Sequence, residues 1–239
     1  MKAQVLLPKI FNFPFTYDSK NESKVGDLVE VPFGSKKEIG VIWKNRYSEP
    51  KNIKIKEIKK NTGYSINSKL VDFIEWFSIY NMVPIGLVLK MVIGGADKFL
   101  KFKDEVIKIK KTQIKNFKLN HEQSTALKFL EKVNNKFDVS VLQGTTGSGK
   151  TLVYFERIKE IVKKNNQALV LLPEIFLTNE FKSRFEDFFG FEPAIWHSKI
   201  TPKNKRIIWH GINKNKISLV VGARSSLLLP FKKLGIDLN

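Results

Sequence analysis

The 239-residue sequence predicts an α/β protein in two parts: a small β-rich N-terminal domain, then a parallel sheet with helices on both faces. Three observations carry that reading. Short period-two apolar runs, punctuated by Gly, Pro and Asn, occupy the first part of the chain. After Leu119, strand-like apolar runs alternate with helical periodicity, as in βα units. Among these runs stands Gly144-Thr145-Thr146-Gly147-Ser148-Gly149-Lys150-Thr151, a glycine-rich segment suited to the turn between a strand and a helix.

The elements follow in order. Phe11, Phe13, Phe15 and Tyr17 fall on alternate positions and predict a strand. Val25 to Gly34 predicts a second, opened by Gly26-Asp27 and closed by Pro32 and Gly34; Ile39 to Trp43 predicts a third. Ile53-Lys54-Ile55-Lys56 alternates again, as a half-buried strand with a lysine face would. From Ser68 the period lengthens, and Leu70, Phe73, Ile74, Phe77 and Tyr80 share one side of a helix stopping near Pro84. The expected division is a first domain over 1–97, a lysine-rich linker over 98–118 with Ile107 to Lys110 as an edge strand, and a second domain over 119–239. That second part reads as a helix from Glu122 to Val133, a strand from Val139 to Leu142, the glycine loop, and a long helix to about Lys164. A strand from Ala168 to Leu172, a helix from Asn179 to Phe189 and a short strand from Pro193 to Trp196 come next. Thr201-Pro202 supplies an N-cap and first-turn pair for a helix toward Ile212, and Ser218 to Val221 closes the series as a strand.

Composition narrows the function classes. A 42% hydrophobic share excludes a mainly disordered chain, and the lack of cysteine excludes disulfide scaffolds, cysteine nucleophiles and thiolate metal sites. Three histidines leave little for a His-based zinc site. The opening Met1-Lys2-Ala3-Gln4 and an apolar run broken by Pro8 do not make a signal peptide, and no stretch approaches the ~18 apolar residues of a span. A cytoplasmic protein is the expectation. Its 42 Lys and Arg outnumber 23 Asp and Glu, for a net charge of +19. Residues 1–117 hold 22 basic and 12 acidic groups and residues 118–239 hold 20 and 11, so no single tail makes the surplus. A solvated basic surface is one reading, and nucleic-acid phosphate, whose counterions lysines displace, is the other.

The glycine loop satisfies G-x-x-x-x-G-K-[ST]. Glycine is needed because the loop curls around phosphates with its N–H groups exposed, where a Cβ would obstruct. Lys150 is expected to reach the β- and γ-phosphates and Thr151 to place its hydroxyl on Mg²⁺, with the helix dipole behind them. By composition the pattern arises by accident in about one chain in a hundred of this length. A ligand-free glycine turn is the plain alternative.

Around that loop lie Leu119-Asn120-His121-Glu122-Gln123, Leu171-Leu172-Pro173-Glu174-Ile175-Phe176-Leu177-Thr178, Trp196-His197-Ser198 and Val220-Val221-Gly222-Ala223-Arg224-Ser225-Ser226-Leu227. The ordered set resembles the first RecA-like lobe of a superfamily 2 helicase, most closely the replication-restart helicase family PriA (primosomal protein N′). Leu7-Pro8, Pro14-Phe15-Thr16-Tyr17, Val25-Gly26-Asp27, Val31-Pro32-Phe33-Gly34, Ile39-Gly40-Val41 and Pro84-Ile85-Gly86 resemble that family's 3′-DNA-end-binding domain. The resemblance covers nearly the whole chain in collinear order. It implies a 3′-end-binding β domain followed by an incomplete RecA-like P-loop lobe, ATP and Mg²⁺ as cofactors, and DNA as partner: a branched fork, a 3′ end or a single strand. Primosome proteins and single-strand-binding protein are further implied partners, and a membrane is not.

By position, Gln123 matches a glutamine that reads the adenine edge, with an ordinary exposed helix residue as the alternative. Gly144, Thr145, Thr146, Gly147, Ser148, Gly149, Lys150 and Thr151 complete the nucleotide set. Pro173, Glu174 and Thr178 match a segment touching single-stranded backbone, or simply form a βα turn and helix cap. Gly222, Arg224 and Ser225 match a second backbone-contacting segment; an interlobe salt bridge is the other use for Arg224. His197 reads as a structural histidine. At the 3′-end pocket Phe15 and Tyr17 would stack a terminal base, or are core residues, with Gly34 and Lys56 beside them.

Three departures qualify the resemblance. Thr16 stands where the family's aromatic–Asp–Tyr run has its carboxylate, so weaker discrimination between a 3′-hydroxyl and a 3′-phosphate is expected. The winged-helix domain usual between the two modules is replaced by residues 98–118 alone. At Leu234-Gly235-Ile236-Asp237-Leu238-Asn239 the family continues into an apolar strand ending in D-E-x-H, and Asp237 is not taken as that aspartate. The second lobe, its arginine finger and a cysteine-rich zinc insert are likewise absent from this sequence. The expectation is weak ATP binding without autonomous unwinding, in a gene remnant or a separately expressed half; a non-enzymatic DNA-end or fork-binding module with a vestigial P-loop is the competing reading.

Overall fold

The computed structural model describes residues 1–20, 22–44, 55–94, 117–132, 138–173 and 179–238. They belong to two compact units. The first is Met1–Val106 with Thr201–Lys216 and Leu227–Lys232, and the second is Ile107–Ile200 with Ile217–Ser226 and Lys233–Asn239.

In the first unit β1 (Lys2–Leu6), β2 (Phe15–Asp18), β3 (Asp27–Phe33), β4 (Lys36–Ile42) and β5 (Lys60–Ser65) form a sheet in the order β2-β1-β4-β3-β5, every pairing antiparallel. One face buries Val5, Leu7, Tyr17, Val29, Val31 and Ile42 together. Phe33 pairs with Lys36, so β3 and β4 are joined by the two-residue loop Gly34-Ser35; Gly34 has φ 60°, as a tight hairpin demands. Asn67 caps α1 (Ser68–Tyr80), its Oδ1 accepting the Leu70 N–H at 2.8 Å, and the buried side of that helix is Leu70, Val71 and Ile74. The apolar α2 (Ile85–Ile93) follows.

The aromatic alternation at 11–17 forms a strand only from Phe15. Pro14, which has no N–H to offer a ladder, stands immediately before it. Phe11 and Phe13 still join the packing: Phe11 lies 4.9 Å and Phe13 5.2 Å from the Phe15 ring, and Phe33 lies 5.4 Å from it. The expected strand at 53–56 is corrected too. Residues 53 and 54 lie outside the described residues, Ile55 and Lys56 are not in a strand, and the ladder with β3 begins at Lys60. Helix α2 was hidden because Pro84 reads as a stop, whereas here it is the residue from which the next helix starts.

The second unit contains α3 (His121–Lys132), α4 (Lys150–Lys163), α5 (Asn179–Phe189) and the strands β6 (Gln167–Leu171), β7 (Ala194–Trp196), β8 (Leu219–Gly222) and β9 (Leu234–Leu238). The sheet order is β7-β8-β6-β9, all parallel. Phe155 and Ile158 of α4 and Phe185, Phe188 and Phe189 of α5 pack with Ala168, Val170, Leu219 and Val221 of the strands. The helix N-capped by Thr201, α6 (Pro202–Asn213), falls with the first unit by its contacts: buried Trp209 donates from Nε1 to Val92 O at 3.0 Å.

Two strand readings differ here. Val139 to Leu142 is not a strand; Val139 is 74% and Val141 88% exposed, and among the described residues no strand pairs with this run. An apolar run without a neighbour has no ladder to satisfy its backbone. Strand β9, beyond the expected last strand, pairs with β6 through Gln167–Leu234 and Ala168–Ile236. The linker's edge strand at Ile107 to Lys110 lies outside the described residues.

Candidate nucleotide and nucleic-acid sites

The loop from Gly144 to Gly149 leads straight into α4. Gly147 and Gly149 have φ 85° and 78°, values that only glycine adopts cheaply, and they turn the backbone toward the helix N-terminus. A Cβ on Gly144 would stand 2.8 Å from Ser148 Oγ, while one on Gly147 would meet nothing. Lys150 folds back on the loop, its Nζ donating to Gly144 O at 2.6 Å and Thr145 O at 2.8 Å. Thr151 follows in the first helical turn.

Gln123 is the brace of this loop. Asn120 Oδ1 accepts the Gln123 N–H at 2.8 Å, and Gln123 Oε1 accepts the Asn120 N–H at 3.0 Å, a reciprocal cap on α3. From there Gln123 Nε2 donates to Ser148 O at 3.1 Å. Both ends of the amide are therefore engaged by protein, in a geometry that clamps the loop rather than leaving the side chain an idle helix residue. Beside the loop is a cavity of about 580 Å³ with one apolar wall: Phe117 stacks on Phe188 at 5.5 Å and 14°, and Arg184 and Asp187 complete that side. Sequence reasoning missed these lining residues, because Phe188 has the spacing of a core helix residue and Phe117 adjoins a charge-rich passage.

Strands β6 and β8 run parallel in register, with Leu171 opposite Gly222, so the segments after them leave from the same end of the sheet. Pro173 is exposed there, and Glu174 and Thr178 lie outside the described residues. After β8, Gly222 allows close passage, since a Cβ would stand 2.6 Å from Trp196 O. Arg224 and Ser225 are exposed in a short 3₁₀ turn (Arg224–Leu228), which Ser226 anchors by donating from Oγ to Ala223 O at 2.6 Å. His197 accepts the Lys199 N–H on Nδ1 at 3.2 Å, a local turn contact.

The 3′-end candidates gather around β2. Phe15 is half-buried among the other phenylalanines. Tyr17 is 3% exposed, its hydroxyl donates to Pro32 O at 3.2 Å, and burial pushes the phenol above its usual range. It is a core residue. Thr16 Oγ1 accepts from Gln4 Nε2 at 3.1 Å. Lys56 is exposed and its carbonyl accepts the Asp18 N–H at 3.0 Å, which brings it to the end of β2. Gly34, at the exposed hairpin tip, follows Phe33, whose ring packs on Phe15. Replacing Tyr17 with phenylalanine is expected to lower unfolding stability by about 0.5–1.5 kcal/mol, the worth of one hydrogen bond, in a urea titration.

The geometry defines an antiparallel β-sheet domain and a parallel α/β domain with a glycine-rich loop at the N-terminus of α4. Family comparison agrees. Residues 4–94 match the PriA 3′DNA-binding domain, and residues 116–235, half of the chain, match the family described as type III restriction enzyme, res subunit. The chain belongs to that helicase-type family and carries the PriA-type domain ahead of it, an arrangement corresponding to the N-terminal portion of PriA. It is 39% identical over 98% of its length to the replication restart protein PriA of Rickettsia prowazekii, 32% over 93% to that of Helicobacter pylori strain J99, and 38% over 49% to that of Bacillus subtilis. It spans 36%, 34% and 15% of those three proteins, about a third of the length of the first two.

Proposed function

We propose that this chain supplies the DNA-end-binding and nucleotide-binding parts of an ATP-dependent 3′→5′ DNA helicase of the PriA type, acting in the cytoplasm at stalled replication forks and in primosome assembly. The observation that carries this is the loop clamped by Gln123 at Ser148, with Lys150 at its mouth, in one chain with a 3′-DNA-binding domain. The residues fit a nucleotide: two positive-φ glycines keep the cradle open, and the lysine donates to loop carbonyls that a phosphate would replace. Bound ATP supplies the free energy of phosphoryl transfer. The N–H groups from Thr145 to Thr151 would receive phosphate oxygens, Lys150 would turn from Gly144 and Thr145 toward them, and the Thr151 hydroxyl would take Mg²⁺. The exposed Arg224 and Ser225 would hold single-stranded backbone together with the Pro173 segment.

Thr16, its lone pair engaged by Gln4, would present a hydroxyl at the DNA terminus. Replacing Thr16 with aspartate is expected to raise the preference for a 3′-hydroxyl over a 3′-phosphate roughly tenfold in competition anisotropy, because a carboxylate accepts from the former and repels the latter. An unchanged ratio would remove Thr16 from the pocket.

A non-catalytic DNA-binding module is the second reading, favoured by the exposure of Val139 and Val141, where the apolar run predicts a strand leading into the loop. ATP turnover stimulated by single-stranded DNA, and abolished by Lys150→Ala, supports the first reading. DNA binding without turnover, unchanged by Lys150→Ala, supports the second.

A further inference from the structure

Phe13 is the outermost ring of the phenylalanine cluster in the first unit, and its loop is fixed on both sides. The segment before it lies against the start of α2: a Cβ on Gly86 would stand 2.1 Å from Lys9 O, and the Gly86 N–H donates to Phe11 O at 3.0 Å. After it comes buried Pro14, whose ring locks its own φ and also restricts the backbone of the residue before it. An exposed apolar side chain on a loop held in this way loses little conformational entropy when a ligand packs on it.

The other rings are covered. Phe15 has Phe11 at 4.9 Å, Phe13 at 5.2 Å and Phe33 at 5.4 Å around it, and Tyr17 is in the core. Phe33 carries the Lys9 amine 5.5 Å from its centroid, and that amine is paired with Glu38 at 2.8 Å. Phe13 is 45% exposed, and its two ring neighbours are inclined to it at 48° and 54°, so neither lies flat on it. That leaves room for a planar partner, and stacking on an aromatic ring suits any base. Lys36, directly opposite Phe33 in the hairpin, and Lys56, at the end of β2, are exposed cations suited to phosphate.

We propose that Phe13 is the stacking platform for the base next to the terminal nucleotide of a bound DNA 3′ end. The inference rests on the 3′-end reading of this domain and adds to it a residue and a nucleotide position. Net charge of +19 and the match of residues 4–94 to a 3′DNA-binding domain favour nucleic acid over an apolar protein segment as the occupant. Phe15 and Thr16 pair with Val5 and Gln4, so they point to opposite faces, and β2 is an edge strand of its sheet. A strand end at that edge therefore meets Thr16 on one side and the phenylalanines on the other. Residues 13 and 16 stand at most about 11 Å apart along the chain. A terminus at Thr16 thus brings the preceding nucleotide, rather than one farther back, to Phe13.

The test is an anisotropy titration of the full chain with single-stranded oligonucleotides labelled at the 5′ end. They are intact, abasic at the nucleotide next to the 3′ end, or abasic at an interior position. Phe13→Ala should weaken binding of the intact strand about tenfold, within the range of one base–aromatic stack. The slope of log K against log salt should stay as it is, since no phosphate contact is lost. Phe13→Tyr keeps the ring and should bind as the wild type does. On the strand abasic beside its end, the wild type should lose the same factor and Phe13→Ala nothing more. The interior abasic site should leave the difference between the two proteins intact. Unchanged affinity in Phe13→Ala, or a loss that persists in full on the strand abasic beside its end, would overturn the stack. So would a dimer, seen by sedimentation, that Phe13→Ala dissociates while DNA binding stays the same, since that marks a contact between copies. If the wild type prefers a linear strand to a closed circle and Phe13→Ala keeps full affinity, end binding stands and the stack falls. Wild-type protein without DNA binding removes both.

Discussion

Replacing Trp209 with alanine should lower the unfolding stability of the first unit by about 3–5 kcal/mol, measured by far-UV circular dichroism in a urea titration. The side chain is 2% exposed, its ring lies 5.9 Å from that of Tyr64, and its Nε1 donates to Val92 O. Truncation removes a large apolar volume and also leaves a buried carbonyl without its donor, so a packing cost and a hydrogen-bond cost fall together. Against a total of about 5–15 kcal/mol for an ordinary domain, that takes a large part of the margin. Trp209→Phe keeps most of the ring and should fall between. A loss below about 1 kcal/mol in the alanine variant would mean that α6 is not held by this anchor.

The second large effect is expected at Gly149. Alanine there must adopt φ 78°, at a cost of roughly 1–2 kcal/mol, and its Cβ would stand 2.3 Å from Gln123 Nε2. Gln123 must then release Ser148 or the loop must open, and either displaces the N–H groups that would meet phosphate. Nucleotide affinity, followed with a fluorescent ATP analogue, should fall about a hundredfold, the scale of a misplacement near 1 Å. The same titration separates the causes. Gly149→Ala combined with Gln123→Ala should recover part of the loss, because the clash is with a side chain. Gly147→Ala, with open space around its Cβ, should lose less.

How much of this was legible in the sequence depends on where the ordering information resides. Helices α1 and α6 were readable, because Leu70 and Ile74 repeat at helical spacing and Thr201-Pro202 carries its own capping chemistry. The P-loop was readable for the same reason: its glycines are needed locally, whatever surrounds them. Partner-dependent features were not. Val139 to Leu142 has strand composition, yet membership of a sheet requires a neighbour that composition does not specify. Strand β5, Lys60-Asn61-Thr62-Gly63-Tyr64-Ser65, has little apolar pattern and is ordered by its pairing with β3. Phe11 and Phe13 show how period two can report a ring cluster instead of a ladder. In the site, the resemblance offered adenine reading for Gln123, while its contact with Ser148, 25 positions away, needed the fold to be seen.

The central claim, that the N-terminal domain recognises a DNA end rather than phosphate at large, is tested most directly by comparing a linear single-stranded oligonucleotide with its covalently closed circle. The two carry the same bases and nearly the same charge, so the basic surface alone would not separate them. In equilibrium anisotropy the account predicts tighter binding of the linear form by at least roughly fivefold, about 1 kcal/mol, with the advantage lost when the linear form is circularised. Equal affinity for the circle and the linear strand would contradict it.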